Sequence, residues 1–284
     1  MRFVTVLILL YAFNGFGNTV IKKLYINRGL FVTVKGTTFA YTAFNETSSF
    51  NQTNVCFYLK AGDTLVLWVK NNDTVQHGFK FKGVTSGYTI NPTDSIADTL
   101  IYGQRSIHVF YDHLNYPDNK NEGLAGFIAV YSGSVNQCYK WNMKEHQSRY
   151  NDTLSMGMPV NWNNYAPDFF TINEKSYADL QLDTNAKVTA GMGDTVYIYV
   201  ANTGQSMHSL HFHGFHSETV YEDAKIIQNG WIKDTWGLFS MDAVVLRMVP
   251  DKAGQYSVHD HNLVAITAKQ THPNGMFTIM TINP

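Results

Sequence analysis

Residues 62–83, GDTLVLWVKNNDTVQHGFKFKG, and residues 193–214, GDTVYIYVANTGQSMHSLHFHG, align without a gap. A second correspondence follows, HVFYDHLNYPDNKNEGLAGFIAV (108–130) against YSVHDHNLVAITAKQTHPNGMFTIM (256–280), each with Asp-His and then Gly before an apolar run. Self-similarity of this kind means that one unit is built twice. The unit itself is written in short runs rich in Val, Ile, Thr, Tyr and Phe, such as TLVLWVK (64–70), GFIAVYSG (126–133), TVYIYVA (195–201) and MFTIMTI (276–282), separated by Gly, Asn and Asp. Such runs favour strands, and sustained helical periodicity is hard to find. The expectation is an all-β chain of two Greek-key β-sandwiches in tandem, at 18–137 and 167–284. Residues 138–166 are polar and irregular enough to be a surface connector.

The first 17 residues, MRFVTVLILLYAFNGFG, place one positive charge and a short apolar run before small residues. That pattern reads as a signal peptide cut near Gly17, so the mature chain is expected to be secreted or periplasmic. No later run approaches the ~20 apolar residues of a spanning helix. Formal net charge is −1 with no basic block, which argues against nucleic acid or anionic membrane and leaves a small molecule as the expected partner. Cys56 and Cys138 are an even pair in an exported chain, either bridged or two buried thiols. Sequons at Asn45, Asn51, Asn72 and Asn151 matter only in a eukaryotic secretory route.

The chain has 11 histidines, and four of them fall in SMHSLHFHGFH (206–216). Side chains at i and i+2 of a strand share a face. His211 and His213 therefore project together, and so do His259 and His261, with Asp260 turned the other way. Two imidazole pairs on neighbouring strands suit copper, zinc, iron or nickel, and copper heads the affinity order.

These residues resemble a known family. HSLHFHG is similar to the His-x-x-His-x-His-Gly signature in the last domain of multicopper oxidases, and YSVHDHNLVAITAKQTHPNGMF resembles that family's closing His-Cys-His segment. The stretches GDTVYIYVAN, DFFTINEKSYADL (168–180) and DTWGLFSMDAVVLRMVPDKAGQY (234–256) look like the strands before those motifs. The resemblance implies two cupredoxin-like domains and copper as cofactor, as in two-domain laccases and copper nitrite reductases. It assigns His208 to a mononuclear blue copper, His211 to a type 2 copper, and His213, His259 and His261 to type 3 coppers. His113, in the first copy's closing motif, would join His213 and His259 on one metal. In two-domain relatives that ligand comes from a neighbouring subunit, which implies a homotrimer.

The departures are as informative. Asp260 stands where the blue-copper cysteine belongs and Ala265 where its second histidine belongs, although His272 and Met276 could restore part of a pocket. The first copy has Asp112 at the cysteine position, Tyr111 beside it, and Lys80 and Lys82 in place of imidazoles. No blue copper is therefore expected, and one metal ion, or at most two, at the surviving histidines. Asp260 and Asp112 are read as acceptors fixing a histidine tautomer, as catalytic proton donors to bound oxygen, or as satisfied turn or core carboxylates. Lys80 and Lys82 either draw in an anion or reach into solvent. His108, His146 and His216 are read as packing or surface residues.

The resulting expectation is a copper-dependent oxidoreductase acting on dioxygen, nitrite, or a phenolic or metal-ion reductant, with an electron donor docking directly. The rivals are a copper carrier or scavenger and a metal-free structural cupredoxin.

Overall fold

The computed structural model describes residues 17–267 and 271–284. The expected signal peptide lies, apart from Gly17, outside the described residues. The first half holds β1 (Thr19–Val32), β2 (Thr38–Asn45), β3 (Cys56–Lys60), β4 (Thr64–Asn71), β5 (His77–Phe81), β6 (Tyr88–Ile90), β7 (Ser95–Ile101), β8 (Ser106–Tyr111), helix α1 (Asp118–Asn121) and β9 (Ala125–Tyr131). Its two sheets run β2-β1-β4-β7 and β3-β9-β8-β5-β6. The second half holds β10 (Cys138–His146), helix α2 (Ser148–Ser155), β11 (Phe169–Ile172), β12 (Thr189–Gly191), β13 (Val196–Asn202), β14 (His208–Phe212), β15 (Ser217–Asp223), β16 (Ile232–Lys233), β17 (Thr235–Leu238), β18 (Ala243–Met248), β19 (Gly254–Asp260) and β20 (Phe277–Asn283). Here the sheets are β11-β10-β13-β18-β15-β16 and β12-β20-β19-β14-β17.

Each sandwich closes over the inward row of its alternating strands. Leu65, Leu67 and Val69 of β4 meet Phe79, Phe110 and Ile128 in the first core, and Ile198 and Val200 of β13 meet Leu210, Phe212 and Leu246 in the second. A third apolar layer joins the two halves. Ile107 and Val109 of β8 and Phe127 and Ala129 of β9 pack on Tyr199 and Ala201 of β13 and Ala243 and Val245 of β18. The molecule is therefore four sheets deep, and the sheet carrying β14 and β19 is the outermost on the second side.

One sequence expectation changes, and one open alternative is decided. Residues 138–146 are not connector: as β10 they lie beside β13, parallel to it, inside the second sandwich. The polar letters of CYKWNMKEH hid this strand because its charges are buried in pairs. Lys144 Nζ donates to Glu174 Oε1 at 2.8 Å and to the Gly123 carbonyl at 2.8 Å, and Asn54 of the first half donates to both Glu174 oxygens at 3.1 Å. The cysteines also remain unbridged: Cys56 and Cys138 are free thiols in the apolar layer between the halves. Of the sequon asparagines, Asn45 and Asn151 are buried, whereas Asn51 and Asn72 are exposed. Among the described residues no helix is long and apolar enough to cross a membrane.

The Lys144–Glu174 pair has side-chain exposures of 1% and 0%, against 30% and 49% for Lys22–Glu46. Breaking a buried pair strands the surviving charge, while an exposed pair is screened by water. Glu174→Gln should lower unfolding stability by about 3–5 kcal/mol and Glu46→Gln by less than about 1 kcal/mol, read from denaturant unfolding of the two variants side by side.

Candidate metal centre

Strands β14 and β19 pair antiparallel with His211 directly opposite His259. Leu210 and Phe212 point into the core, so His211 and His213 stand on the outer face of the outermost sheet, together with His259 and His261. The ring centroids of His211 lie 4.8 Å from His213, 5.6 Å from His259 and 5.3 Å from His261. The period-two reading of HFH and HDH thus brings four imidazoles into one patch.

The hydrogen bonds decide where the lone pairs point. His259 Nδ1 lies 2.9 Å from the Asp260 carbonyl; a carbonyl only accepts, so this nitrogen carries the proton and Nε2 keeps its lone pair. His259 Nε2 faces His213 Nε2 at 3.0 Å. His211 Nδ1 is 2.7 Å from the Thr235 hydroxyl, which donates to Asp234 at 3.1 Å, so the hydroxyl accepts from His211 and its Nε2 is free as well. Slight burial and the neighbouring imidazoles lower the His211 pKa, favouring the neutral ligand form.

Copper can be tested against this geometry. Imidazole nitrogens sit about 2.0–2.1 Å from such a metal, so two of them bound to one ion lie roughly 3 Å apart, as Nε2 of His213 and His259 do. The donor type and the fixed tautomers fit a borderline metal. The set is open nonetheless: among the described residues no three His, Cys, Asp or Glu side chains already converge on one point. His213 and His259 are a preformed pair, and His211 and His261 stand beside them.

Other expected site residues fall elsewhere. His208 is not a metal ligand here, because both of its nitrogens are hydrogen-bonded to buried carboxylates. Nδ1 donates to Asp260 and Nε2 to Glu145 at 2.9 Å. Burial opposes the charge, but the two acidic partners prevail and hold the His208 pKa up at about 9; Glu145, despite its burial, is held down at about 2 by His208. Asp260 is correspondingly not a catalytic acid facing the quartet. Its second oxygen accepts from the backbone N–H of Ser209 and Asn262, on the inner side of β19.

The first half repeats this clamp. His77 donates from Nδ1 to Asp112 at 2.7 Å and from Nε2 to Asp73 at 2.9 Å. Asp112 also accepts from the N–H of Gly78 and Leu114 and from the Asn119 amide, so it has no lone pair to spare for catalysis. Met276 is buried beneath the second clamp, where its backbone oxygen accepts from the Asp260 N–H, whereas His272 is exposed with its ring 6.3 Å from that of Phe277. No blue-copper pocket is reassembled from them.

Sequence reasoning missed Asp73 and Glu145, and the repeat explains why. Asp73 aligns with Gly204, so the second copy has no acid in its own loop. A Cβ at Gly204 would stand 1.8 Å from Glu145 Oε2; the glycine makes room for a carboxylate arriving from β10. The absence of a side chain at 204 opposite Asp73 was the available signal.

His113 is not gathered with the quartet. It lies on the first half, its ring over Gly78 and Gly87, with Nδ1 buried and unpartnered. Because the quartet faces outward from the far sheet, the same chain's first half cannot reach it. Lys80 donates to the Thr85 carbonyl at 3.2 Å, and Lys82 forms an ion pair with Asp223 of the second half at 3.0 Å. His108 stacks on Tyr102 at 3.8 Å, His146 is buried, and His216 is exposed.

A family model described as multicopper oxidase matches residues 139–282. Among solved structures, a blue copper oxidase from Nitrosomonas europaea superposes with a TM-score of 0.78 at 18% identity, over 93% of this chain and 86% of that one. A copper nitrite reductase from the same organism gives 0.71 at 18%, over 93% and 94%. A copper-containing nitrite reductase from Thermus scotoductus gives 0.68 at 16%, over 93% and 62%. Identities this low establish a shared fold, two cupredoxin-like sandwiches. No curated protein matches the chain in sequence at a significant level.

The clamps predict a pH dependence of stability. A histidine whose folded pKa is raised contributes stability that is complete below its unfolded value of 6.5 and is lost as pH climbs through about 9, for His208 about 3 kcal/mol. Glu145 contributes above 4.5, and its share is lost as pH falls toward about 2. Melting temperature should therefore peak between these limits, and His208→Gln should flatten the decline from pH 6.5 to 9 as followed by calorimetry.

Proposed function

The chain belongs to the multicopper oxidase family, whose model spans essentially the whole histidine-bearing sandwich, and on that premise we propose that it is a copper-binding protein acting as a redox enzyme on a small molecule. The observation that supports this reading is the His213–His259 pair, two imidazoles whose Nε2 atoms face one another at 3.0 Å, with the Nδ1 proton of His259 held on the Asp260 carbonyl. His213 and His259 hold the metal, and His211 and His261 complete or share it. Thr235 and Asp234 keep the His211 ring turned toward the site. Bound copper would supply a one-electron couple and a Lewis acid toward an oxygen-containing substrate such as dioxygen or nitrite.

The residues of the chain limit how electrons and protons arrive. Both aspartates at the cysteine positions are consumed by buried histidines, so an internal blue-copper relay has no ligand and a reductant must meet the quartet directly. Protons come from solvent, since the Asp260 carboxylate faces inward. The patch is open, with Met207, Leu263 and Val264 exposed beside it in the sequence, and a second copy of the chain would both cover it and bring the partner subunit's His113, whose buried Nδ1 is without a hydrogen bond. A homotrimer with the metal at each subunit boundary is the assembly we propose, for an exported protein. The second reading is a copper carrier, favoured by the same openness, since a metal on an uncovered face is readily surrendered.

Copper titration tests the binding. Cupric ion should bind at one or at most two equivalents per chain, without the intense blue absorption of a thiolate site. His213→Ala or His259→Ala should abolish it, while Thr235→Val should weaken it by about 10–100-fold; unchanged binding in both alanine variants would refute the site. Turnover of phenols, ferrous iron or nitrite by the loaded protein separates enzyme from carrier.

Light scattering tests the assembly: His113→Ala should leave a trimer intact and weaken its copper affinity, and a protein monomeric at all concentrations would exclude a shared site.

A further inference from the structure

Where the layer between the halves meets solvent it opens into a cleft of about 610 Å³, which shares no residue with the metal patch. Strand β3 and the loop before it line one side, and Lys140 of β10 and Asn185 line the other. Lys140 is partly buried there. Its Nζ donates to the Cys56 carbonyl at 2.5 Å and stands 4.4 Å from the centroid of the Tyr58 ring. Among the described residues no carboxylate pairs with it and its remaining ammonium protons have no partner. Other lysines between the halves are treated differently: Lys82 meets Asp223 at 3.0 Å, and Lys144 meets Glu174 at 2.8 Å.

A cation drawn out of water is unfavourable without a counter-charge, and the surroundings of Lys140 do not supply one. Glu46, on the cleft wall, is taken by Lys22 at 2.6 Å, and nearby Asp183 by Lys175 at 3.0 Å. Cys56, pushed by burial up to about 12, stays a neutral thiol. Burial accordingly lowers the Lys140 pKa, and Asp183 and Glu46 only partly offset it. The wall thus carries one uncompensated positive charge, which a single carboxylate balances. A dianion such as phosphate would exceed it and meet Glu46. The rest of the ligand follows from the space and its lining. The volume lies in the range of small-molecule sites and far exceeds a bare carboxylate, and Asn51, Thr53 and Asn185 put amide and hydroxyl groups around it. We propose that this cleft is a binding site for a polar monocarboxylate, its carboxylate on Lys140 and its hydroxyl groups on Asn51, Thr53 and Asn185. The Tyr58 ring beneath the ammonium keeps Lys140 turned toward the ligand.

The test uses the metal-free full chain, which makes its outcome independent of copper binding. Gluconate should bind in titration calorimetry with a Kd of about 1 mM or tighter and raise Tm, and phosphate should bind more weakly. Lys140→Met keeps the apolar stem and removes the charge, so it should weaken gluconate binding by about tenfold or more. Glu46→Gln releases Lys22 and adds a positive charge to the wall, so it should tighten gluconate binding about fivefold. No gluconate binding, binding unchanged by Lys140→Met, or phosphate bound more tightly than gluconate by the unsubstituted chain overturns the site. Should Lys140→Met fail to fold, Glu46→Gln decides alone: gluconate affinity unchanged or weakened in that variant overturns the proposal.

Discussion

A protonated imidazole held between two carboxylates lies beneath each half of this molecule, and the rest of the structure is arranged around that pair of clamps. The second clamp ties three segments that the chain separates, β14, β19 and β10, through His208, Asp260 and Glu145, and the first ties the turn and strand of Asp73 and His77 to Asp112 at the end of β8. An isolated charge buried this deeply would be intolerable, and a buried pair is tolerable only when its remaining hydrogen-bonding capacity is filled. Backbone N–H groups fill it here, at Gly78 and Leu114 for Asp112, at Ser209 and Asn262 for Asp260, and at Gln205 and Ser206 for Glu145. At His208, where the motif resemblance implies a copper ligand, the structure holds a proton between two acids.

This arrangement separates structure from chemistry across the thickness of one strand. Along β19, Asp260 faces inward to the clamp while His259 and His261 face out, and along β14 His208 faces inward while His211 and His213 face out. The alternation of a strand therefore assigns neighbouring letters to opposite tasks. The inner row fixes the register of β14 on β19, and that register sets His211 across from His259.

Much of this is legible in the amino-acid sequence. The gapless repeat and the period-two runs point to two sandwiches, and HFH and HDH point to one face that gathers four imidazoles, because both readings rest on strand geometry that is local. What escapes are contacts between distant segments. Glu145 sits in a stretch whose charges disguise a buried strand, and its partner lies 63 positions away. The pairing of Lys144 with Glu174 and the burial of Asn151 are hidden for the same reason. Likewise, His208 matches a ligand signature but is claimed by acids that a motif does not display. The spacing of two cysteines cannot reveal that their strands meet without joining the thiols.

Gly204 carries a consequence out of proportion to its size. The two copies recruit their second acid by different routes, one from within the turn and one from across the sheet, so equivalent positions in the repeat tolerate opposite changes. A side chain is the working part at 73, whereas at 204 even a methyl group would collide with the incoming oxygen. Exchanging residues between the copies by homology would therefore fail at this position in both directions, which makes the duplication a guide to ancestry but not to interchangeability.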